Sequence, residues 1–338
     1  MRRRSAKVGY VVAFVTGCFL FNVARIVILN VDPAIYKQPA TDEWLKVRDS
    51  LLRLKQDQDF ELHDDILPIN RTPGYSWIDE KYLSLQNNVY LEQFGLHYCK
   101  IDKNMGSTMQ AIMCYLDNPQ EMEEFFFDKA WGPGLGRTNC GRSTSFGELR
   151  NRFLRAAENW EFFSPDSEIL HFAITRDPIS RFISAFLNVC RQKPDPNLCF
   201  NCGRDMECFI PKLYYHLRSH AEHMPLDRWN REWHFYPQSW YCDFDRRIAD
   251  YKLMRYARNE RFFNELLNVF RSGGVNQTYL SDVENALKRK QVKHATYNIA
   301  PMYHKQLRAS NFLLEFIYKT YYLDFLWFGY DLHGELDD

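Results

Sequence analysis

A lysine, a glycine and two hydroxyl residues stand close together in the segment KNMGST, Lys103–Thr108. Lysine supplies a positive charge, and main-chain N–H groups at the start of a helix favour an anion. Ser107 and Thr108 would add hydroxyl donors at the same place. The lysine precedes the glycine, whereas it follows the second glycine of a nucleotide-binding P-loop, so a magnesium–ATP enzyme is not indicated. A polar turn with Ser107 as a helix N-cap is the plainer alternative.

A second segment, TRDPISRFISAF at Thr175–Phe186, carries residue types that bind a second phosphate group. Arg176 closes an apolar run, and Pro178 suits the first turn of a helix. A guanidinium at the end of a strand can hold a phosphate through two parallel hydrogen bonds. Ser184 follows Arg176 by eight residues, two helical turns later. The alternative is a surface ion pair between Arg176 and Asp177 ahead of an ordinary amphipathic helix.

Both segments lie where an apolar strand leads into a helix. The runs LHYCKI (96–101) and EILHFAIT (168–175) predict buried strands. Helical patterns follow them at 108–116 and 179–190. Short strands that alternate with longer helices indicate an α/β fold with a central parallel sheet flanked by helices, here one domain over residues 85–338. Such sheets bind ligands at the carboxyl ends of their strands, where both segments lie.

Four segments resemble sulfotransferases that use 3′-phosphoadenosine 5′-phosphosulfate as donor. CKIDKNMGST (99–108) resembles their 5′-phosphosulfate loop, and RDPISRFISAF (176–186) is similar to their 3′-phosphate motif. HFYPQSWYCDF (234–244) and YYLDFLWFGYDL (321–332) resemble segments of the Golgi carbohydrate sulfotransferases of the chondroitin 4-O-sulfotransferase type, most of all the nematode branch. The resemblance covers about residues 95–332 and implies a P-loop-like sulfotransferase fold.

The resemblance implies roles for residues of both loops. Lys103 would be catalytic, because it would stabilise the charge that develops on the bridging oxygen of the leaving phosphate. We nominate His234 as the general base, since an imidazole titrates near neutral pH, although a structural histidine is the alternative. No metal is expected, because the family generally uses none. The donor-binding residues would be Lys103, Asn104, Gly106, Ser107 and Thr108 on the 5′ side, with Arg176 and Ser184 on the 3′ side.

The first loop departs from the family pattern at three positions. Asp102 stands where the family often has proline, and Asn104 and Met105 stand where it often has a small residue and glycine. A carboxylate that faced the donor would repel it, so we expect the side chain of Asp102 to point away. These departures motivate one alternative function, a catalytically inactive relative that still binds glycans.

The implied acceptor is an anionic glycan, a chondroitin-type proteoglycan chain. A basic stretch could guide it, although a solvated helix face is the alternative. This stretch comprises Arg246, Arg247, Lys252, Arg255, Arg258 and Arg261. A Golgi glycosyltransferase is a further alternative, and its Asp-x-Asp metal site would be DFD at 243–245. The formal net charge of zero argues against a general nucleic-acid-binding protein.

The N-terminus predicts a membrane anchor. Three arginines at 2–4 precede an apolar run, residues 8–29, which is long enough to cross a bilayer as a helix. The arginines favour a cytoplasmic tail, residues 1–7, and a lumenal domain. A cleaved signal peptide is the alternative. Residues 30–84 would form a stem, whose helix at 42–59 could pack on its own domain or form a short homodimer seam.

Further features agree with the lumen of the Golgi as the predicted location of a single-pass type II protein. Asn70 and Asn276 begin glycosylation sequons. Of nine cysteines, Cys18 lies in the apolar run and the other eight are an even set compatible with disulfides. The CFNC pair, Cys199 and Cys202, could be half of a zinc site. Such a site needs a second pair, and we identify no other Cys-x-x-Cys or His-x-x-x-His pair with zinc spacing, so disulfides are the favoured prediction.

Overall fold

The computed structural model describes residues 63, 65–70, 88–128, 169–191, 196–223, 232–242, 244–289 and 299–331. The predicted tail and anchor (1–29) and the predicted stem helix (42–59) lie outside these ranges. None of the helices within the described ranges has the length and apolar character needed to cross a bilayer. The described residues all belong to one compact unit, Asp42–Asp338.

The described residues include a sheet of four strands: β1 (Asn88–Leu91), β2 (Leu96–Cys99), β3 (Leu170–Thr175) and β4 (Lys252–Arg255). The strands lie in sequence order, and β2, β3 and β4 run parallel, as predicted. β1 departs from the predicted all-parallel sheet, because it pairs antiparallel with β2. The connection Glu92–Gly95 is too short for the crossover that a parallel pair requires, so the two strands form a hairpin.

Helices surround this sheet. In chain order they are α1 (Gly106–Asp117), α2 (Pro119–Asp128), α3 (Pro178–Phe186), α4 (Met206–His223), α5 (Phe244–Arg247), α6 (Glu260–Ser272), α7 (Gln277–Arg289), α8 (Ala300–Arg308), α9 (Asn311–Thr320) and α10 (Tyr322–Phe328). A π-helical segment, Leu187–Arg191, continues α3. Short 3-10 helices lie at Glu92–Phe94, Glu232–His234, Gln238–Trp240 and Ile248–Asp250.

Alternate strand residues face two separate cores. Tyr98, Phe172 and Met254 are buried in one core, together with apolar residues of α1, α6 and α7. Cys99 and Ala173 are buried in the other, together with apolar residues of α3, α4 and α9. Successive side chains of a strand point to opposite faces, so both faces of the sheet are covered by helices. The predicted α/β architecture is therefore confirmed.

Part of the segment that the sequence analysis assigns to the stem packs against the domain. Ile66 and Ile69 are buried. The main-chain N–H of Ile69 donates to the carbonyl of Lys319 in α9 at 2.8 Å. The Tyr214 hydroxyl in α4 donates to the carbonyl of Leu67 at 2.5 Å. The packed domain therefore includes residues that precede the predicted boundary at 85.

The described cysteines are all in disulfides, which confirms that prediction. The bonds are Cys99–Cys242, Cys190–Cys199 and Cys202–Cys208, and Cys114 is also disulfide-bonded. The two cysteines of the CFNC pair bond to different partners, so their thiols are consumed by disulfides rather than presented together to a metal. Asn70 and Asn276, which begin the sequons, are both exposed.

The Cys99–Cys242 bond ties the end of β2 to the segment that follows Gln238–Trp240, across a sequence separation of 143 residues. Replacing both cysteines by serine should lower the free energy of unfolding by about 2–5 kcal/mol, because a cross-link over a long loop restricts the unfolded chain. Urea denaturation of the full-length chain measures this loss. The matched control replaces Cys202 and Cys208, whose separation is only 6 residues. An equal loss in the control would contradict the prediction.

Candidate active site

The loop between β2 and α1 places two residues in the left-handed backbone region. Lys103 has a φ of 69° and Met105 a φ of 62°. Residues other than glycine rarely adopt this conformation, which recurs in functional loops. α1 begins at Gly106, and its N-cap is Met105, without a side-chain capping hydrogen bond. Ser107 lies inside the first turn, so the alternative that made it the N-cap is wrong.

The start of α1 offers main-chain and hydroxyl donors to an anion. The first N–H groups of a helix have no acceptor within it, and the helix dipole favours negative charge there. Ser107 is half-buried and Thr108 is buried, and the described hydrogen bonds use neither hydroxyl. A Cβ at Gly106 would come within 3.0 Å of Lys100 Cε and 3.7 Å of the Ile101 carbonyl oxygen. Glycine at this position therefore lets the loop fold closely against the helix.

Lys103 reaches from the first loop toward the helix of the second. Its Nζ donates to Asn188 Oδ1 at 2.8 Å. Asn188 lies in the π-helical segment that continues α3, about one turn after the half-buried Ser184. The fold thus brings the predicted catalytic lysine to the same helix as Ser184, one of the two predicted 3′-side residues.

Arg176, the other predicted 3′-side residue, contacts the first loop directly. Its Nη1 donates to the carbonyl of Lys103 at 3.2 Å. Its guanidinium lies 5.2 Å from the ring centroid of Tyr256, a residue whose N–H donates to the carbonyl of Thr175 at 2.7 Å. The cation is therefore oriented by an aromatic face at the carboxyl ends of β3 and β4. The sequence analysis did not identify Tyr256.

Asp177 does not form the surface ion pair that was the alternative interpretation of the second segment. It is 8% exposed and caps α3, accepting from the Ser180 N–H at 2.7 Å. Burial raises the pKa of this carboxyl above its ordinary value. Asp177, the residue after Arg176, therefore sets the start of α3 at Pro178.

Gln238 joins the two loops, although the sequence analysis gave it no role. It is fully buried. Its Oε1 accepts from Asn104 Nδ2 at 2.5 Å and from the Arg176 N–H at 2.9 Å. Its Nε2 donates to the Arg176 carbonyl at 2.8 Å. The feature of the sequence that could have indicated this role is a glutamine within the aromatic segment FYPQSW, 235–240.

The structure assigns the side chain of Asn104 a position different from the predicted donor contact. Asn104 is buried, and its Nδ2 also donates to the carbonyl of Ile174 in β3 at 2.8 Å. Together with the bond to Gln238, this contact directs the amide into the protein. Asn104 therefore supports the loop from inside, and Lys103, Gly106, Ser107 and Thr108 remain the 5′-side candidates.

Two buried charged residues hold the segments that meet at Gln238. Asp324 in α10 accepts from the main-chain N–H groups of Gln238 and Ser239, both at 2.8 Å. Burial raises the pKa of Asp324. Arg181 in α3 is 1% exposed, and it donates through Nη1 to the carbonyl of Tyr236 at 2.7 Å. Both side chains therefore hold the main chain of the segment around Gln238, and the sequence analysis gave neither residue a role.

Asp102 is held through its backbone. Its carbonyl accepts from Arg181 Nε at 2.9 Å. Its carboxylate acts on Tyr98, whose pKa is raised first by burial and second by this charge. Tyr98 lies in the core that contains α1, whereas Lys103 reaches the segment after α3 on the other face. The direction of the Asp102 carboxylate relative to Lys103 stays a prediction.

His234, the predicted base, ends the 3-10 helix Glu232–His234 and is half-buried. Its ring centroid lies 5.3 Å from that of Trp233. The chain continues from it to Gln238, so both residues belong to one segment. The described hydrogen bonds connect Gln238 to the two loops, and the role of His234 as base stays a prediction.

The predicted acceptor-guiding stretch is divided among α5, β4, the loop after β4 and α6, so the alternative of a single solvated helix face is wrong. Arg247 donates to Asp250 Oδ2 at 2.9 Å. Arg255 donates to the Phe328 carbonyl at 2.7 Å and lies 4.9 Å from the Tyr330 ring centroid. These two arginines make intramolecular contacts. The exposed members are Lys252, Arg255, Arg258 and Arg261.

The sequence of this chain is similar to those of known proteins. The sequence profile of the Sulfotransferase family matches residues 87–331. Carbohydrate sulfotransferase chst-1 of Caenorhabditis elegans is 27% identical over 253 residues, which are 71% of this chain and 74% of that protein. Uncharacterized protein C18B2.2 of the same organism is 29% identical over 245 residues, 71% of this chain and 67% of that protein. No solved structure matches this chain.

The family match includes both predicted anion-binding loops and the four strands that position them. It covers well over half of the chain. The resemblance seen in the two loops is therefore confirmed at the level of the family, and the chain belongs to the sulfotransferase family.

Proposed function

We propose that this protein transfers a sulfonyl group from 3′-phosphoadenosine 5′-phosphosulfate to a hydroxyl of a glycan. Family membership supports sulfonyl transfer, and the name of the relative chst-1 supports a carbohydrate acceptor. One observation carries the proposal: the two predicted phosphate-binding loops meet at Gln238, with Arg176 donating to the carbonyl of Lys103. A donor with separated phosphate groups requires two such loops in a fixed relation.

The residues present fit this donor. The N-terminus of α1 lacks a side-chain cap, and its main-chain N–H groups favour an anion. Lys103, Gly106, Ser107 and Thr108 would hold the 5′ side of the donor. Arg176 and Ser184 would hold the 3′ side, since a guanidinium and a hydroxyl both donate to phosphate oxygens. These are the roles predicted from the sequence, except that Asn104 supports the loop from inside.

The chemistry of the site follows from its charges. When bound, the donor supplies the sulfonyl group that is transferred. Lys103 places a positive charge next to the anion-binding end of α1, and preorganised charge of this kind is often the largest contribution to catalysis. His234 would accept the proton of the glycan hydroxyl, because its neutral imidazole can bind a proton near neutral pH.

The acceptor and the location are also part of the proposal. We propose a chondroitin-type proteoglycan chain as acceptor, supported by the exposed basic residues Arg258 and Arg261, which follow the carboxyl end of β4 in the chain. We propose a Golgi membrane location with a lumenal domain. The disulfides and the exposed Asn70 and Asn276 support an oxidising lumen.

The alternatives from the sequence have less support. A glycosyltransferase does not agree with membership of the sulfotransferase family. Asp243 of its DFD motif lies outside the described residues, and Asp245 lies in α5. The hypothesis of an inactive, glycan-binding relative was motivated by Asp102 and Met105, which depart from the family pattern. The loop accommodates both, because Met105 is the N-cap of α1 and Asp102 is held through its carbonyl.

A sulfation assay tests the proposed function. The full-length chain is incubated with sulfur-labelled donor and a panel of desulfated chondroitin, desulfated dermatan and unsulfated heparosan. We expect donor-dependent label in the chondroitin sample, without a requirement for manganese. Label in heparosan alone would reject the chondroitin acceptor. Calorimetric binding of glycan without binding of adenosine 3′,5′-bisphosphate would reject the enzyme in favour of the inactive relative.

A further inference from the structure

Two histidines and a glutamate converge at a place separate from the two loops. His216 and His220 lie one turn apart on the same face of α4, and Glu232 begins the next described segment. The Nε2 atoms of the histidines are 3.0 Å apart. Glu232 Oε2 lies 3.1 Å from Nε2 of His216 and 3.5 Å from Nε2 of His220. All three atoms therefore face one common point.

Hydrogen bonds alone cannot make all three contacts attractive. Each Nε2 carries either one proton or one lone pair. If His216 and His220 hydrogen-bond to each other, the nitrogen that accepts presents a lone pair to the Glu232 carboxylate. If both nitrogens donate to Glu232, two donors oppose each other at 3.0 Å. Beside an ionised carboxylate, every arrangement of protons on the two imidazoles leaves one repulsive contact, whereas a cation among three lone pairs makes all three favourable.

The separations match those of metal ligands. Zinc binds histidine nitrogen and carboxylate oxygen at about 2.0–2.2 Å, which places neighbouring tetrahedral ligand atoms roughly 3.3–3.5 Å apart. The observed separations of 3.0, 3.1 and 3.5 Å allow one ion to lie about 2.0–2.1 Å from all three atoms. The fold itself brings the three ligand atoms together, and α4 supplies two of them.

The burial of His220 gives an independent reason for a ligand. Its side chain is 9% exposed. Its Nδ1 is buried and has no hydrogen-bond partner among the described residues. The polar partners of this buried ring are therefore the other two members of the cluster. A buried polar group with so few partners is costly unless something compensates it.

We propose that His216, His220 and Glu232 bind a zinc ion. Two imidazoles and one carboxylate suit zinc, and three protein ligands leave a fourth position for water. His216 is the most exposed of the three at 30%, which leaves a route for the ion and the water. Rings of Phe200 and Tyr236 border the histidines, with centroids 5.3 Å from His216 and 6.4 Å from His220.

The ion would connect α4 to the segment that carries Gln238. Glu232 begins the 3-10 helix that leads through Tyr236 to Gln238. Zinc would fix the start of this segment, whereas Asp324 and Arg181 hold its later part. The zinc has no part in the transfer chemistry, so this inference does not depend on the proposed function. The His-x-x-x-His spacing at 216–220 was the signal, and the sequence analysis was wrong to find no such pair.

Metal content measured on the full-length chain tests the proposal. The protein is dialysed against zinc, then against metal-free buffer, and its zinc is measured by mass spectrometry. We expect about one zinc ion per chain, and replacement by cobalt should give the intense visible absorption of a tetrahedral site. Wild-type protein that retains neither zinc nor cobalt would overturn the proposal.

Variants then locate the ion. Glu232→Gln keeps the shape of the side chain and should weaken zinc binding by about 100-fold or more, since a ligand is lost rather than a supporting group. His216→Ala should do the same. Ser219→Ala, an exposed residue on the same helix, is the matched control and should bind zinc as the wild type does. Zinc should raise the melting temperature of the wild type and of Ser219→Ala, but not of Glu232→Gln. Undiminished binding by Glu232→Gln and His216→Ala would place the metal elsewhere and overturn the proposal.

Discussion

Lys103→Ala should lower kcat for sulfate transfer by about 100- to 1000-fold, the usual cost of losing one group that stabilises developing charge. Lys103 Nζ is held by Asn188 Oδ1 at 2.8 Å, on the segment that continues α3. Its charge is therefore already in place before the reaction begins. Initial rates with labelled donor measure kcat, and calorimetry with adenosine 3′,5′-bisphosphate measures binding of the nucleotide product. We expect a smaller change in product affinity than in kcat, because charge that acts in the transition state acts mainly on kcat.

Two other variants make this result interpretable. Lys288→Ala removes an exposed lysine that pairs with Glu284 in α7, and it should leave kcat unchanged. Asn188→Ala leaves the charge of Lys103 but removes its neutral hydrogen-bond partner, so it should cost less than Lys103→Ala. Wild-type kcat in Lys103→Ala would refute the proposed role of this lysine.

Gln238→Leu should damage both the stability and the activity of the protein. The substitution removes one of the two acceptors of the Asn104 amide and both hydrogen bonds to the main chain of Arg176. Buried polar groups that lose their partners cost about 1–3 kcal/mol each, so the free energy of unfolding should fall by at least about 2 kcal/mol. Sulfate transfer should also fall, because Gln238 connects the two loops that would hold the donor. Urea denaturation and initial rates measure the two effects.

A double-mutant cycle separates the contact from general damage to the core. Asn104→Leu combined with Gln238→Leu should cost less than the sum of the two single substitutions, because each single variant already removes the hydrogen bond between the two amides. The matched control is Gln277→Leu, at the exposed start of α7. It should change neither the free energy of unfolding nor the rate of sulfate transfer by much. Additive effects of Asn104→Leu and Gln238→Leu would show that the hydrogen bond at 2.5 Å does not couple them.

The sequence by itself determined the positions of the two predicted anion-binding loops. The apolar runs that became β2 and β3, and the helical patterns after them, are local features of chain composition. Parallel strands place their carboxyl ends at one edge of the sheet, so Lys103 and Arg176 had to come near each other once the strands paired. The proline at 178 marked where the second helix begins, whereas the first helix begins at Gly106, two residues before its predicted start at 108.

Only the tertiary structure decided what holds these loops together. Gln238 lies 134 residues from Asn104 and 62 residues from Arg176, and Asp324 lies 86 residues from Gln238. No local pattern predicts such contacts, because a buried glutamine or aspartate is recognised by its partners and not by its neighbours in the chain. The His216–His220–Glu232 cluster has the same origin, since the spacing on α4 was visible but the glutamate comes from another element. The sequence placed the charges, and the fold determined which buried hydrogen bonds orient them.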